Sequence, residues 1–253
     1  MGIAYSPYLA NGNCKDKQAV AADIKKLTGY TSIRLYGTDC KQVANVLPAA
    51  KAAGMTIFAG VFDIAKAATQ AKELIDQVNG DWASINTVGV GNEAVNKGEA
   101  SPAQVVAALG AVKSTLKGAG YTGPVVAPDT FIAMIKNPSI CQAADYAAAN
   151  CHAFFDPNTP AKDAGKFLKT QQANVEQACG KKVVITETGW PKKGSSNGQA
   201  IPSTENQAAA ISSIKNAYKD SPQSIIMFSA FDDDWKKDTS ATFNAERHWG
   251  MLG

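Results

Sequence analysis

Short apolar runs rich in β-branched residues recur along the chain, and most are followed by an alanine-rich stretch with helical periodicity. This alternation restricts the fold more than any other feature. Strands buried on both faces and separated by helices belong to parallel sheets. Eight runs fit: Ile3–Tyr5, Ser32–Tyr36, Thr56–Ala59, Thr87–Val90, Pro124–Ala127, Tyr146–Asn150, Val183–Thr186 and Ile225–Phe228. The sixth is an alanine run and fits a helix equally well. Helices are expected near 16 to 28, 40 to 53, 64 to 79, 101 to 118, 161 to 177 and 204 to 219, with Ser101-Pro102 and Ser203 as N-terminal signals. The fifth connection, Phe131 to Lys136, is short.

Eight βα units in 253 residues predict one catalytic domain over 1 to 253, a closed (β/α)8 TIM barrel rather than an open doubly wound sheet. No run is followed by the glycine pattern of a dinucleotide site or P-loop. After the eighth run, 241 to 253 looks irregular, so the last helix is expected to be absent or short.

Charge narrows the partners. The net charge of +3 is spread along the chain. Lysine pairs such as Lys181-Lys182 and Lys192-Lys193 make no stripe with interleaved aromatics, which argues against nucleic acid. No apolar run reaches the roughly 18 residues of a membrane span. Met1 directly before the strand-like Gly2-Ile3-Ala4-Tyr5 reads as a mature domain whose precursor carries a signal peptide, and so as a secreted protein. The five cysteines have no zinc-like spacing. An extracellular chain would pair Cys14 with Cys40 and Cys141 with Cys179, which lie outside predicted strands, and leave Cys151 as a buried thiol. The alternative, five reduced and packed cysteines, stays open.

Chemistry in such barrels sits at the C-terminal ends of the strands. Residues there include Tyr5, Tyr8, Arg34, Tyr36, Asp63, Asn92, Glu93, Asp129, His152, Phe155, Glu187, Trp190, Asp232, Asp233, Trp235 and Lys236. Carboxylates and aromatics dominate. With only His152 and His248, no histidine set exists for a metal, and no cofactor is expected; the run Asp232-Asp233-Asp234 reads as a solvated loop before it reads as a cation site. Glu93 and Glu187 close the fourth and seventh runs, on opposite rims of one mouth. A strand-end glutamate alone is as compatible with a salt bridge. Two in this arrangement suit glycoside hydrolysis, in which one carboxyl protonates the leaving oxygen and the other attacks or activates water.

The chain resembles glycoside hydrolase family 17, and its compact fungal branch in particular. The resemblance rests on Ile33-Arg34-Leu35-Tyr36, Val90-Gly91-Asn92-Glu93, the block Val183 to Pro191 containing Thr-Glu-Thr-Gly-Trp-Pro, the block Phe228 to Lys236, and Glu246-Arg247-His248-Trp249-Gly250. It implies a β-1,3-glucan substrate, Glu93 as general acid/base and Glu187 as nucleophile of a retaining mechanism. It also implies Asn92 at the sugar 2-hydroxyl, Tyr36 orienting Glu187, Lys236 near the pair, Asp233 where plant members carry glutamate, and Glu246 at the cleft edge. Tyr5, Asp129 and Trp235 are further candidate substrate contacts. Phe154, Phe155 and Trp190 are candidate sugar platforms, with core packing as the alternative. The connection between the sixth and seventh strands is shorter than in plant members. That predicts a monomeric, secreted, extracellular or cell-wall glucanosyltransferase with residual hydrolysis; the alternatives are an endo-β-1,3-glucanase and a non-catalytic glucan-binding wall protein.

Overall fold

The computed structural model describes residues 1–252. Nine parallel segments, β1 (Gly2–Ala4), β2 (Ser32–Arg34), β3 (Thr56–Val61), β4 (Ile85–Val90), β5 (Val125–Val126), β6 (Asp129–Thr130), β7 (Ala147–Asn150), β8 (Val183–Thr188) and β9 (Ile225–Met227), form one sheet in the order β5-β4-β3-β2-β1-β9-β8-β7-β6. The two outer segments, β5 and β6, are halves of a single strand. β5 pairs with β4 through Val88↔Val125 and Gly89↔Val126. β6 pairs with β7 through Asp129↔Ala149 and Thr130↔Asn150, and Asp145 N also donates to Val125 O at 3.2 Å. Between the halves lies Pro128, which has no N–H to continue a ladder, so the strand changes neighbours there. The sheet therefore closes into a barrel of eight strands, the fold expected.

The alanine run is strand β7, buried along its whole length. Pairing on both sides decides the matter over intrinsic propensity, which for alanine favours helix. Helices α1 (Lys17–Ile24), α2 (Gln42–Ala52), α3 (Ala67–Val78), α4 (Pro102–Gly118), α5 (Phe131–Lys136), α6 (Ser139–Ala143), α7 (Ala164–Cys179) and α8 (Thr204–Ala217) surround the barrel. α4 starts with a capping box between Ser101 and Gln104, and Ser203 caps α8 by accepting from Asn206 N. Among the described residues no α-helix follows β9. The chain instead folds back on the barrel seam, with Ala230 N donating to Ala4 O at 2.9 Å and Leu252 N to Ala230 O at 2.9 Å. No helix among them is long and apolar enough to cross a membrane.

Disulfides join Cys14 to Cys40 and Cys141 to Cys179, and Cys151 is buried and free. The first links the loops that leave β1 and β2 at the barrel mouth. The second links α6 to the end of α7, at the opposite end of the barrel. One glycine is required near the mouth: a Cβ on Gly60 would lie 2.1 Å from Tyr36 O, so only glycine lets β3 pass Tyr36 this closely.

Candidate active site

Glu93 stands three residues beyond the end of β4, on a turn that the backbone does not favour. Glu93 has φ +59°, in the left-handed region that costs a non-glycine residue on the order of 1 kcal/mol. Gly91, at φ +75°, makes the bend with no such penalty. Hydrogen bonds hold the turn. Glu93 N donates to Pro128 O at 3.0 Å and Lys97 N donates to Glu93 O at 2.9 Å. The Asp129 carboxylate accepts from Val95 N and Asn96 N at 2.9 and 3.3 Å. Asp129 is 2% exposed and engaged with backbone amides, so it clamps the turn behind Glu93 and lies outside the cleft lining where it was expected.

Glu187 is buried at the end of β8 in a cage of donors. Arg34 Nη1 and Tyr36 Oη each donate to its Oε1 at 2.9 Å, and His152 Nε2 lies 3.1 Å from its Oε2. Arg34 also donates through Nη1 to Asn150 Oδ1 at 3.1 Å and to Thr186 O at 2.8 Å, and through Nη2 to Asn92 Oδ1 at 2.8 Å. Asn150 Nδ2 then donates to Glu93 Oε1 at 3.0 Å. A continuous network thus joins the two glutamates. Both line a cleft of about 980 Å³ at the mouth, together with Tyr36, Asn92, Phe155, Trp235, Lys236 and Glu246 among the expected residues.

The environments of the two carboxyls differ in sign. Burial opposes the charge on Glu187, but Arg34, His152 and Tyr36 outweigh it and hold the carboxyl at about 2, so it is ionised. At Glu93, burial and then the charge of Glu187 push the pKa up, and Asn150 and Lys97 offset this only in part. Tyr36 is held well above its ordinary range, by burial and then by Glu187, and stays a donor. Burial works against the charge of Lys236, yet Asp233 and Glu246, at 3.1 and 3.2 Å, raise its pKa overall. The cleft therefore offers an ionised carboxylate and a carboxyl biased toward holding its proton.

Four expected sugar contacts lie elsewhere, besides Asp129. Tyr5 is 1% exposed and donates to Asp23 Oδ2 on α1 at 2.9 Å, because the side chain leaves the strand toward the helices; Ser6, one residue on, lines the cleft. Phe154 and Trp190 are wholly buried, with ring centres 5.4 Å apart, and Trp190 Nε1 donates to Ile201 O. They form the apolar layer beneath Phe155 and Trp249, which do reach the cleft. Asp233 is buried behind the wall, where it accepts from Trp235 Nε1 at 3.0 Å and pairs with Lys236.

Other contributors had no expected part. Arg34 and His152 were visible as strand-end polar residues without a duty, and Asn150 only as the close of an apolar run. The readable signal was a polar side chain inside or ending a strand with apolar residues on both sides. Tyr8, packed on Trp235 at 4.7 Å, and Phe62, Phe131, Ile132, Phe228 and Trp249 add to the apolar lining.

The sequence profile of the BtgE/BtgC glycoside hydrolase domain matches residues 2–250. The chain belongs to this glycoside hydrolase family. Its relatives include the cell surface mannoprotein MP65 of Candida albicans, 49% identical over 99% of this chain, and the probable family 17 glucosidase SCW10 of Saccharomyces cerevisiae, 48% identical over 99%. The family 17 resemblance carried by the Thr-Glu-Thr-Gly-Trp-Pro block agrees with them. This BtgE/BtgC-type chain spans 66% and 64% of those two proteins. Among solved structures, an active-site mutant of Rhizomucor miehei β-1,3-glucanosyltransferase in complex with laminaritriose superposes with TM-score 0.84 at 22% identity, covering 100% of this chain and 92% of that one. CJP38, a β-1,3-glucanase and pollen allergen of Cryptomeria japonica, gives TM-score 0.71 at 17% identity, covering 99% and 94%. These two share the barrel.

Proposed function

We propose that this domain is a β-1,3-glucan glucanosyltransferase that cleaves its donor with retention of configuration and retains some hydrolysis. In this reading Glu187 attacks C1 of the donor glucose and forms a glycosyl ester. The C1–O bond breaks toward the leaving oxygen, which takes the proton of Glu93. Glu93, now ionised, removes a proton from the hydroxyl of an incoming glucan, whose oxygen displaces Glu187. Asn92 presents its Nδ2 to the donor ring, since its Oδ1 is taken by Arg34 and Asn150. Tyr36 and His152 hold the nucleophile.

The carrying observation is the opposite bias of two carboxyls in one cleft. Such a split suits an acid and a nucleophile that work at the same pH. The β-1,3-glucan substrate follows the resemblance of the sequence blocks and agrees with the activities by which the two barrels above are named. Exposed apolar walls, Phe62 and Phe155 at 43% and Ile132 at 47%, suit the apolar faces of glucose rings. Between β7 and β8 lie two short 3-10 turns, Ala153–Phe155 and Ala161–Asp163, and α7, with no added subdomain to lengthen the acceptor side of the cleft. Two disulfides and a relative named as a cell surface mannoprotein support a secreted, wall-located domain.

Product analysis on laminari-oligosaccharides of defined length tests the reading. Products longer than the substrate are expected, increasing with substrate concentration. Only shorter products at every concentration would make the domain an endo-β-1,3-glucanase, and no products at all would make it a binding protein.

A further inference from the structure

We propose that Asn150 is a positioning residue that fixes which oxygen of Glu93 carries the proton delivered to the leaving group, an inference that rests on Glu93 being the acid. The argument begins with Arg34, which can only donate. Arg34 Nη1 lies 3.1 Å from one terminal atom of the Asn150 amide, so that atom must be the oxygen. Thr186 Oγ1 donates to the same oxygen at 2.8 Å. The Asn150 amide orientation is thereby settled by its neighbours, and Nδ2 must face the other way. There its two hydrogens meet two acceptors, Asn92 Oδ1 at 3.1 Å and Glu93 Oε1 at 3.0 Å. Asn92 Oδ1 is identified in turn by Arg34 Nη2, which also can only donate.

Asn150 is 1% exposed, and with two donated and two accepted bonds its amide has no alternative arrangement. Glu93 Oε1 therefore faces a fixed N–H. A carboxyl oxygen that receives such a bond accepts it best when it is the carbonyl oxygen, so the acid proton resides on Oε2. Among the described residues Oε2 has no protein partner, and Glu93 lines the cleft, so the proton is held where the glycosidic oxygen of a bound glucan arrives. The same bond keeps the carboxyl plane from turning. Arg34 completes the device, because it fixes Asn150 with the same guanidinium that charges the pocket of Glu187.

The test compares two donors, a laminari-oligosaccharide and 2,4-dinitrophenyl β-laminaribioside, whose leaving group needs no proton. Asn150→Ala removes the amide. Asn150→Asp keeps the acceptor toward Arg34 and Thr186 while losing the donor, and covers the case in which the alanine variant does not fold. Glu93→Gln is measured beside them. Expected for both Asn150 variants is a fall in kcat/KM of about 100-fold on the oligosaccharide, with the dinitrophenyl substrate reduced far less. The ratio of the two rates is independent of the fraction of folded enzyme.

Equal losses on both substrates, or no loss on either, would overturn the role of Asn150 while leaving Glu93 as the acid, provided Glu93→Gln spares the dinitrophenyl substrate. If Glu93→Gln loses both equally, the assignment of the acid fails and the inference fails with it. The alkaline limb of kcat/KM supplies a second readout. It should move to higher pH in Asn150→Ala, because an N–H that favours the ionised carboxyl is gone.

Discussion

Arg34 and Glu187 form an ion pair at 2.9 Å inside the barrel, with side chains only 1% and 7% exposed. Every other polar contact of the guanidinium serves the same site, through Asn92, Asn150 and Thr186 O. Removing one partner of such a pair strands the other charge away from water. Arg34→Leu is expected to destabilise the fold by about 3–5 kcal/mol. It should also raise the pKa of Glu187 and shift the acid limb of activity upward. Arg34→Lys keeps the charge but cannot reproduce the fork of contacts, and should recover stability more than activity. Thermal unfolding and a pH–rate profile on each variant check both parts.

The two limbs of the pH–rate profile arise from different glutamates. Glu187, held at about 2, keeps the acid limb well below the ordinary carboxyl value of 4.5. Glu93 is raised, so the alkaline limb should lie above 4.5. Initial rates of kcat/KM across pH on a laminari-oligosaccharide give both positions. An alkaline limb at or below 4.5 contradicts the assignment of Glu93.

Opposite shifts imply opposite effects on stability. The depressed pKa of Glu187 contributes on the order of 3 kcal/mol, present in full above 4.5 and lost as the pH falls toward 2. The raised pKa of Glu93 has the reverse sign: it costs stability as the pH rises past 4.5. At pH 7, Glu93→Gln is therefore expected to melt higher than the wild type and Glu187→Gln lower, with both inactive on oligosaccharide. Melting curves at pH 7 decide the order.

Phe154 and Trp235 separate packing from binding. Phe154→Ala empties a fully buried site and should cost about 3–5 kcal/mol. Trp235 lines the cleft against Tyr8. Trp235→Ala should instead raise KM several-fold for long glucans with a smaller loss of stability. Denaturant unfolding together with steady-state kinetics distinguishes them.

The two disulfides differ in the same way. Each closes a loop long enough for its loss to cost about 3 kcal/mol. Only Cys14–Cys40 ties the loop of Tyr8 to that of Asp39, whose side chains bond at 2.7 Å on the cleft wall. C14S/C40S should lower the melting temperature and raise KM. C141S/C179S should lower the melting temperature alone.

Much of this structure could be read from residue order, and the failures share a cause. The β-branched runs located the barrel strands because burial on both faces leaves an unmistakable apolar record. Strand ends located Glu93 and Glu187 because chemistry collects there. Sequence order does not tell, however, on which side of the wall a residue leaves once the ladder stops. Tyr5 therefore turns to α1 while Ser6 faces the cleft, and Phe154 and Trp190 lie beneath the aromatic surface that they were expected to form. Pro128 reads as the end of a strand, yet the strand resumes at Asp129 on its other neighbour. Asn150 looked like the last residue of a run because its importance lies wholly in partners 57 and 116 positions away.

Glu93 is tied to the fifth strand by its own amide, which donates to Pro128 O, and Glu187 to the sixth by its carbonyl, which accepts from Cys151 N at 2.9 Å. Glu187 is thus carried by the ladder itself, and Glu93 by a short turn pinned to it. The gap between them is counted in strands, each about 4.8 Å from the next, and so belongs to the circumference of the barrel. Insertions at the rim can extend the cleft, narrow it or change who accepts the sugar. They leave the seats of Glu93 and Glu187 alone, so one barrel can vary what enters its cleft without rebuilding the pair at its centre.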